Sequence, residues 1–102
     1  MCGNDIINEI VSPDGKNKAV LFQRDCGATT SLSTQISIIS ANKELPNDIG
    51  NIFIIVGYSD INKIDITWQS PSKVEISNIP PKTEIYKKEH VFNNIEIKYS
   101  NR

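Results

Sequence analysis

The chain has 102 residues, enough for one domain with one modest core. Eleven Lys and Arg stand against twelve Asp and Glu, a formal charge of −1, which excludes strong non-specific binding to nucleic acid or acidic membrane through net charge. No apolar run reaches the roughly 18–20 residues of a membrane-spanning helix, and a single histidine excludes a multi-histidine metal site within one chain.

Isoleucine and asparagine are used heavily, alanine and leucine sparsely. Isoleucine loses side-chain freedom in a helix and packs well on a pleated surface, whereas asparagine favours turns because it bonds local backbone and tolerates positive φ. Strands punctuated by turns are therefore expected.

In chain order, Ile6 to Val11 is a short apolar stretch, followed by Ser12-Pro13-Asp14-Gly15-Lys16. Pro13 presets φ for a first central turn position and Gly15 accepts positive φ, so a hairpin is predicted with Lys18 to Gln23 as its second strand. Arg24 to Ser33 reads as a polar loop. Thr34 to Ser40 resumes as a strand, with Ile36 and Ile38 on one face and Gln35 and Ser37 on the other. Ala41 to Gly50 reads as a loop, and Asn51 to Val56 as the most apolar strand, buried on both faces.

Lys63 to Trp68 alternates, with Ile64, Ile66 and Trp68 inward. Gln69 to Ser72 turns, and Lys73 to Ser77 places Val74 and Ile76 inward. Pro80-Pro81 breaks pairing, Thr83 to Lys87 is a weaker strand around Ile85, Glu89 to Asn94 connects, and Asn94 to Tyr99 closes with Ile95, Ile97 and Tyr99 on one face. These seven or eight short strands predict an all-β single domain over residues 1–102, an antiparallel sandwich or partly open barrel. The prolines and lysines flanking Ile85 mark its strand as a sheet edge, and an unprotected edge there would allow a dimer.

Cys2 and Cys26 are the first chemical constellation. One reading makes Cys2 the lipidated first residue of a mature chain cut just before it, Met1 being an addition; this would tether the protein to a membrane. The other joins Cys2 to Cys26 in a disulfide worth roughly 3–3.5 kcal/mol in the chain-entropy treatment. The two are exclusive because they need the same sulfur, and both place the protein outside the cytoplasm; a third reading leaves the pair as two ordinary thiols. A cysteine nucleophile at Cys26 needs a base, for which only His90 is on offer, 64 positions away in a polar connection.

The stretch Arg24-Asp25-Cys26-Gly27-Ala28-Thr29-Thr30, with Ser12-Pro13-Asp14-Gly15-Lys16 before it, resembles an uncharacterised family of small bacterial exported or lipoprotein-like proteins. The resemblance covers about the first third of the chain. It implies location and fold but no activity, and it makes Arg24, Asp25, Gly27, Thr29 and Thr30 the first candidates for a binding loop.

Asp14, Asp48, Asp60 and Asp65 are scattered without the spacing of a calcium loop, so no metal or cofactor is called for. Lys82, Lys87 and Lys88 read as a solvated face. The aromatics Phe22, Phe53, Trp68, Tyr86, Phe92 and Tyr99 are expected mostly inward, and Tyr58 in a loop where it would serve as an anchor for a partner. The expectation is a non-enzymatic, extracytoplasmic bacterial domain of the cell envelope, monomer or weak dimer, binding a protein or surface component and no nucleic acid. A small cytoplasmic module of the immunity-protein type is the alternative, and a Cys26-dependent enzyme the third.

Overall fold

A computed structural model of the chain describes residues 2–27, 32–56, 64–81 and 84–100. Nine strands follow in order: β1 (Gly3–Val11), β2 (Asn17–Asp25), β3 (Ser33–Ser40), β4 (Phe53–Val56), β5 (Asp65–Ser70), β6 (Lys73–Ser77), β7 (Ile85–Lys88), β8 (Val91–Phe92) and β9 (Ile95–Ser100). They form two open sheets, one in the order β1-β2-β3-β4-β7 and one in the order β5-β6-β9-β8. The fold is the expected all-β architecture, realised as a sandwich and not as a closed barrel.

The hairpin of β1 and β2 is tied by its turn. Ser12 N–H donates to the Asn17 carbonyl at 2.8 Å, and Gly15 N–H to the Ser12 carbonyl at 2.9 Å. The Ser12 hydroxyl donates to Asp14 Oδ1 at 2.6 Å, and Lys16 N–H reaches the same oxygen at 3.2 Å. Gly15 takes φ of +74°, a conformation open to glycine without steric cost.

Alternation then decides the core. Ala19 and Leu21 of β2, Ile36 and Ile38 of β3, and Phe53 and Ile55 of β4 share one face of the first sheet; they meet Ile66, Val74, Ile76, Ile95 and Ile97 of the second. Trp68 packs half-buried at the margin and donates its indole N–H to the Ile10 carbonyl at 2.8 Å, linking β5 to β1.

Four departures from the sequence reading have physical causes. A ninth strand, β8, lies within the expected connection Glu89 to Asn94, because Asn93 (φ +49°) and Asn94 (φ +65°) make a two-residue turn that folds Val91–Phe92 back on β9. β9 lies parallel to β6, since the chain leaves the second sheet to form β7 before it returns. Arg24 and Asp25 belong to β2, paired with Asn4 and Gly3, and are not loop residues. Tyr86, expected inward, is 65% exposed: the register shifts where Ile54 pairs Lys87 and Ile55 pairs Ile85, leaving Tyr86 as the extra residue.

Candidate functional site

At one end of the first sheet Cys2 and Cys26 are joined by a disulfide across a sequence separation of 24, just beyond the Gly3–Asp25 pair that ends the hairpin. A sulfur in this bond is neither the thiolate a nucleophile needs nor free to carry a lipid. Asp25 Oδ1 accepts the Gly27 N–H at 2.9 Å, and Gly27 at φ +117° takes the chain out of the strand. Cys2, Gly3, Asn4, Asp5 and Asp25 line a shallow depression of about 370 Å³ beside the bond. Of the predicted binding residues, Asp25 and Gly27 are exposed here. Thr29 and Thr30 lie outside the described residues, as do Tyr58, Asp60, Lys63 and Lys82.

Arg24 does something the sequence did not announce. Its Nη1 donates to Asn4 Oδ1 at 2.8 Å and to Asn47 Oδ1 at 3.1 Å. Asn4 Nδ2 in turn donates to the carbonyls of Pro46 at 3.1 Å and Asp48 at 2.9 Å. The segment 41–51 is thereby held across the outer face of the first sheet. Val20 and Phe22 lie on that face and are fully buried. Gln35 and Ser37, on the face opposite Ile36 and Ile38 as the alternation predicts, are buried there too: Gln35 Oε1 accepts the Gly50 N–H at 2.6 Å and Ser37 Oγ the Asn51 N–H at 3.1 Å.

Asn51 completes the arrangement. β4 pairs β3 only from Ser33 to Ile36, and beyond that point the Asn51 side chain takes the place of a strand. Its Oδ1 accepts the Ile38 N–H and its Nδ2 donates to the Ile38 carbonyl, both at 2.8 Å. The side-chain amide reproduces the two bonds of a peptide group.

A second region gathers around Tyr99 at the far sheet. The ring stands 5.6 Å from that of Phe53 and 5.4 Å, edge on, from His90; Lys88 Nζ lies 4.9 Å from its centroid. The Tyr99 hydroxyl donates to the Glu89 carbonyl at 2.7 Å. Burial, helped by the Glu89 charge, raises the phenol well above its ordinary range, so it stays a neutral donor. The depression alongside, about 590 Å³, is lined by His90, Val91, Asn94, Glu96, Ile97, Lys98 and Tyr99. Among the described residues no three His, Cys, Asp or Glu side chains gather as metal ligands.

Comparison of the chain with protein-family models, curated proteins and solved structures found no significant match in any of the three. Asn4, Asn47 and Asn51 are the residues that sequence reasoning passed over. Their signal was their type alone, since an asparagine that braces a loop is indistinguishable in sequence from one that turns it.

Proposed function

We propose that this chain is a non-enzymatic domain working outside the cytoplasm, where it binds a protein or a cell-surface component through the end of the first sheet that carries the disulfide. The observation that carries the reading is the Cys2–Cys26 bond itself. Disulfides persist in oxidising compartments and are rare where thiols are kept reduced, so the bond is compatible with an extracytoplasmic location. It also fixes the ends of β1 and β2 beside the exposed Asp5, Asp25 and Gly27, giving a polar surface held by a covalent staple. A fixed surface binds with less loss of conformational freedom.

The test is the intact mass, without reductant, of the product made from the full native gene, together with its cell fraction. The expected product is exported, two hydrogens lighter than the dithiol. An acylated Cys2 would keep the envelope location but replace the disulfide by a lipid anchor. A cytoplasmic product with two free thiols would overturn the reading and favour the cytoplasmic binding module.

A further inference from the structure

The sequence holds one Asp-Gly pair, Asp14-Gly15, and no Asn-Gly pair. An aspartate followed by glycine is open to rearrangement, because no Cβ crowds the attacking nitrogen. The Gly15 nitrogen bonds to Cγ of Asp14 and gives up its proton, and the hydroxyl of the protonated carboxyl leaves as water. The five-membered imide then takes water back at either carbonyl. Opening at Cγ restores aspartate; opening at the main-chain carbonyl leaves an isoaspartyl link, with the backbone running through the former side chain. Asp14 and Gly15 are both exposed, and a Cβ added at Gly15 would meet no atom within 4 Å, so burial does not shield the pair.

The turn restrains both reacting groups instead. Gly15 N–H donates to the Ser12 carbonyl at 2.9 Å, which keeps the proton on the nitrogen that would attack. Asp14 Oδ1 accepts the Ser12 hydroxyl at 2.6 Å and the Lys16 N–H at 3.2 Å, and both bonds favour the carboxylate over the acid the reaction consumes. The Ser12 hydroxyl is itself fixed: its oxygen accepts the Asn17 N–H at 3.1 Å, and the residue is only 4% exposed. We propose that Asp14-Gly15 is a site of aspartyl rearrangement held latent by Ser12, whose hydroxyl restrains the carboxyl and whose carbonyl restrains the nitrogen. Opening of the turn releases both together. The isoaspartyl link adds one atom to the main chain and draws the carboxyl away from Ser12 and Lys16, so the turn does not close again as before, and the modification marks chains that have opened. The inference stands apart from the location proposed above and is tested without reference to it.

The experiment ages the oxidised chain in mildly acidic buffer, folded and in urea, and follows isoaspartate at Asp14 by peptide mapping, where the rearranged peptide elutes apart at unchanged mass. In urea the site is expected to rearrange readily, and in the folded wild type far more slowly. Ser12→Ala, checked for an unchanged circular dichroism spectrum, is expected to rearrange on the order of tenfold faster than the folded wild type, the factor set by losing one hydrogen bond to a charged group. Gly50→Ala, whose crowding falls on the backbone of Ile36 and Phe53, separates this local release from general loss of stability and is expected to keep the wild-type rate. Should Ser12→Ala fail to fold, the folded wild type against the chain in urea and against Gly50→Ala carries the test. No isoaspartate at Asp14 in urea, a folded wild type as fast as the chain in urea, Ser12→Ala as slow as the wild type, or Gly50→Ala accelerated as much as Ser12→Ala would overturn the proposal.

Discussion

A single side-chain amide stands in for a stretch of strand at Asn51. Replacing it by alanine leaves the N–H and C=O of Ile38 unpartnered on that side, a loss of about 1–3 kcal/mol for buried groups left without bonds. The expected signature is local: hydrogen exchange at the Ile38 amide accelerates more than at its neighbours in β3. The adjacent Gly50 is constrained by space. A Cβ there would stand 2.9 Å from the Ile36 carbonyl oxygen and 3.0 Å from that of Phe53, and neither backbone atom can swing aside. Gly50→Ala is expected to cost about 1–3 kcal/mol by overpacking, measured as a lower urea midpoint at unchanged slope. Asp14 gives a pH dependence. Its carboxylate, bonded by the Ser12 hydroxyl and the Lys16 N–H, is held below its ordinary value of 3.8. A depressed folded pKa gives stability that is fully present above the unfolded value and lost as pH falls through the folded one. The difference in stability between wild type and Asp14→Asn should therefore be constant at neutral pH and close on acidification below about 3.8, as read by urea unfolding across pH.

Among the elements, the β1–β2 hairpin is closed at both ends, by the Ser12–Gly15 turn and by the disulfide. The Cys2→Ser, Cys26→Ser double variant releases a separation of 24 residues in the unfolded chain and is expected to lose about 2–4 kcal/mol, measured against the oxidised wild type in urea. The hairpin was also the most legible part of the fold, since Pro13 and Gly15 declare a turn between two apolar runs. Alternation likewise placed Ile36, Ile38, Ile64, Ile66, Val74, Ile76, Ile95 and Ile97 inside, because a half-buried strand writes its burial into every second residue. The burial of the outer face of the first sheet at Gln35 and Ser37 was not legible. Gln35 and Ser37 have polar side chains, and only the return of the 41–51 segment over them, a tertiary event, makes them interior. Tyr86 was misread for a related reason, as one extra residue in β7 reverses the direction that alternation assigns. At the candidate site the cysteine pair was among the readings the sequence offered. The Arg24–Asn4–Asn47 brace was not, because hydrogen bonds between long and short polar side chains leave no periodic trace.

For the whole molecule, the topology sets the pace of folding. The hairpins β1–β2, β5–β6 and β8–β9 are local, but β4–β7 and β6–β9 join segments far apart in the chain. Sandwiches dominated by such pairings fold on the order of milliseconds to seconds, and stopped-flow refolding of the oxidised chain is expected in that range. The position of β9 has a consequence during synthesis. It is the last described strand to leave the ribosome, yet it lies between β6 and β8 in the middle of its sheet. While it is still inside the exit tunnel, β6 has an open flank, and Val74 and Ile76 lack their lateral neighbours Ile97 and Tyr99. The nascent chain must therefore leave the middle of its second sheet unfinished until β9 has cleared the tunnel, whereas the late arrival of an edge strand would leave the other strands of a sheet contiguous.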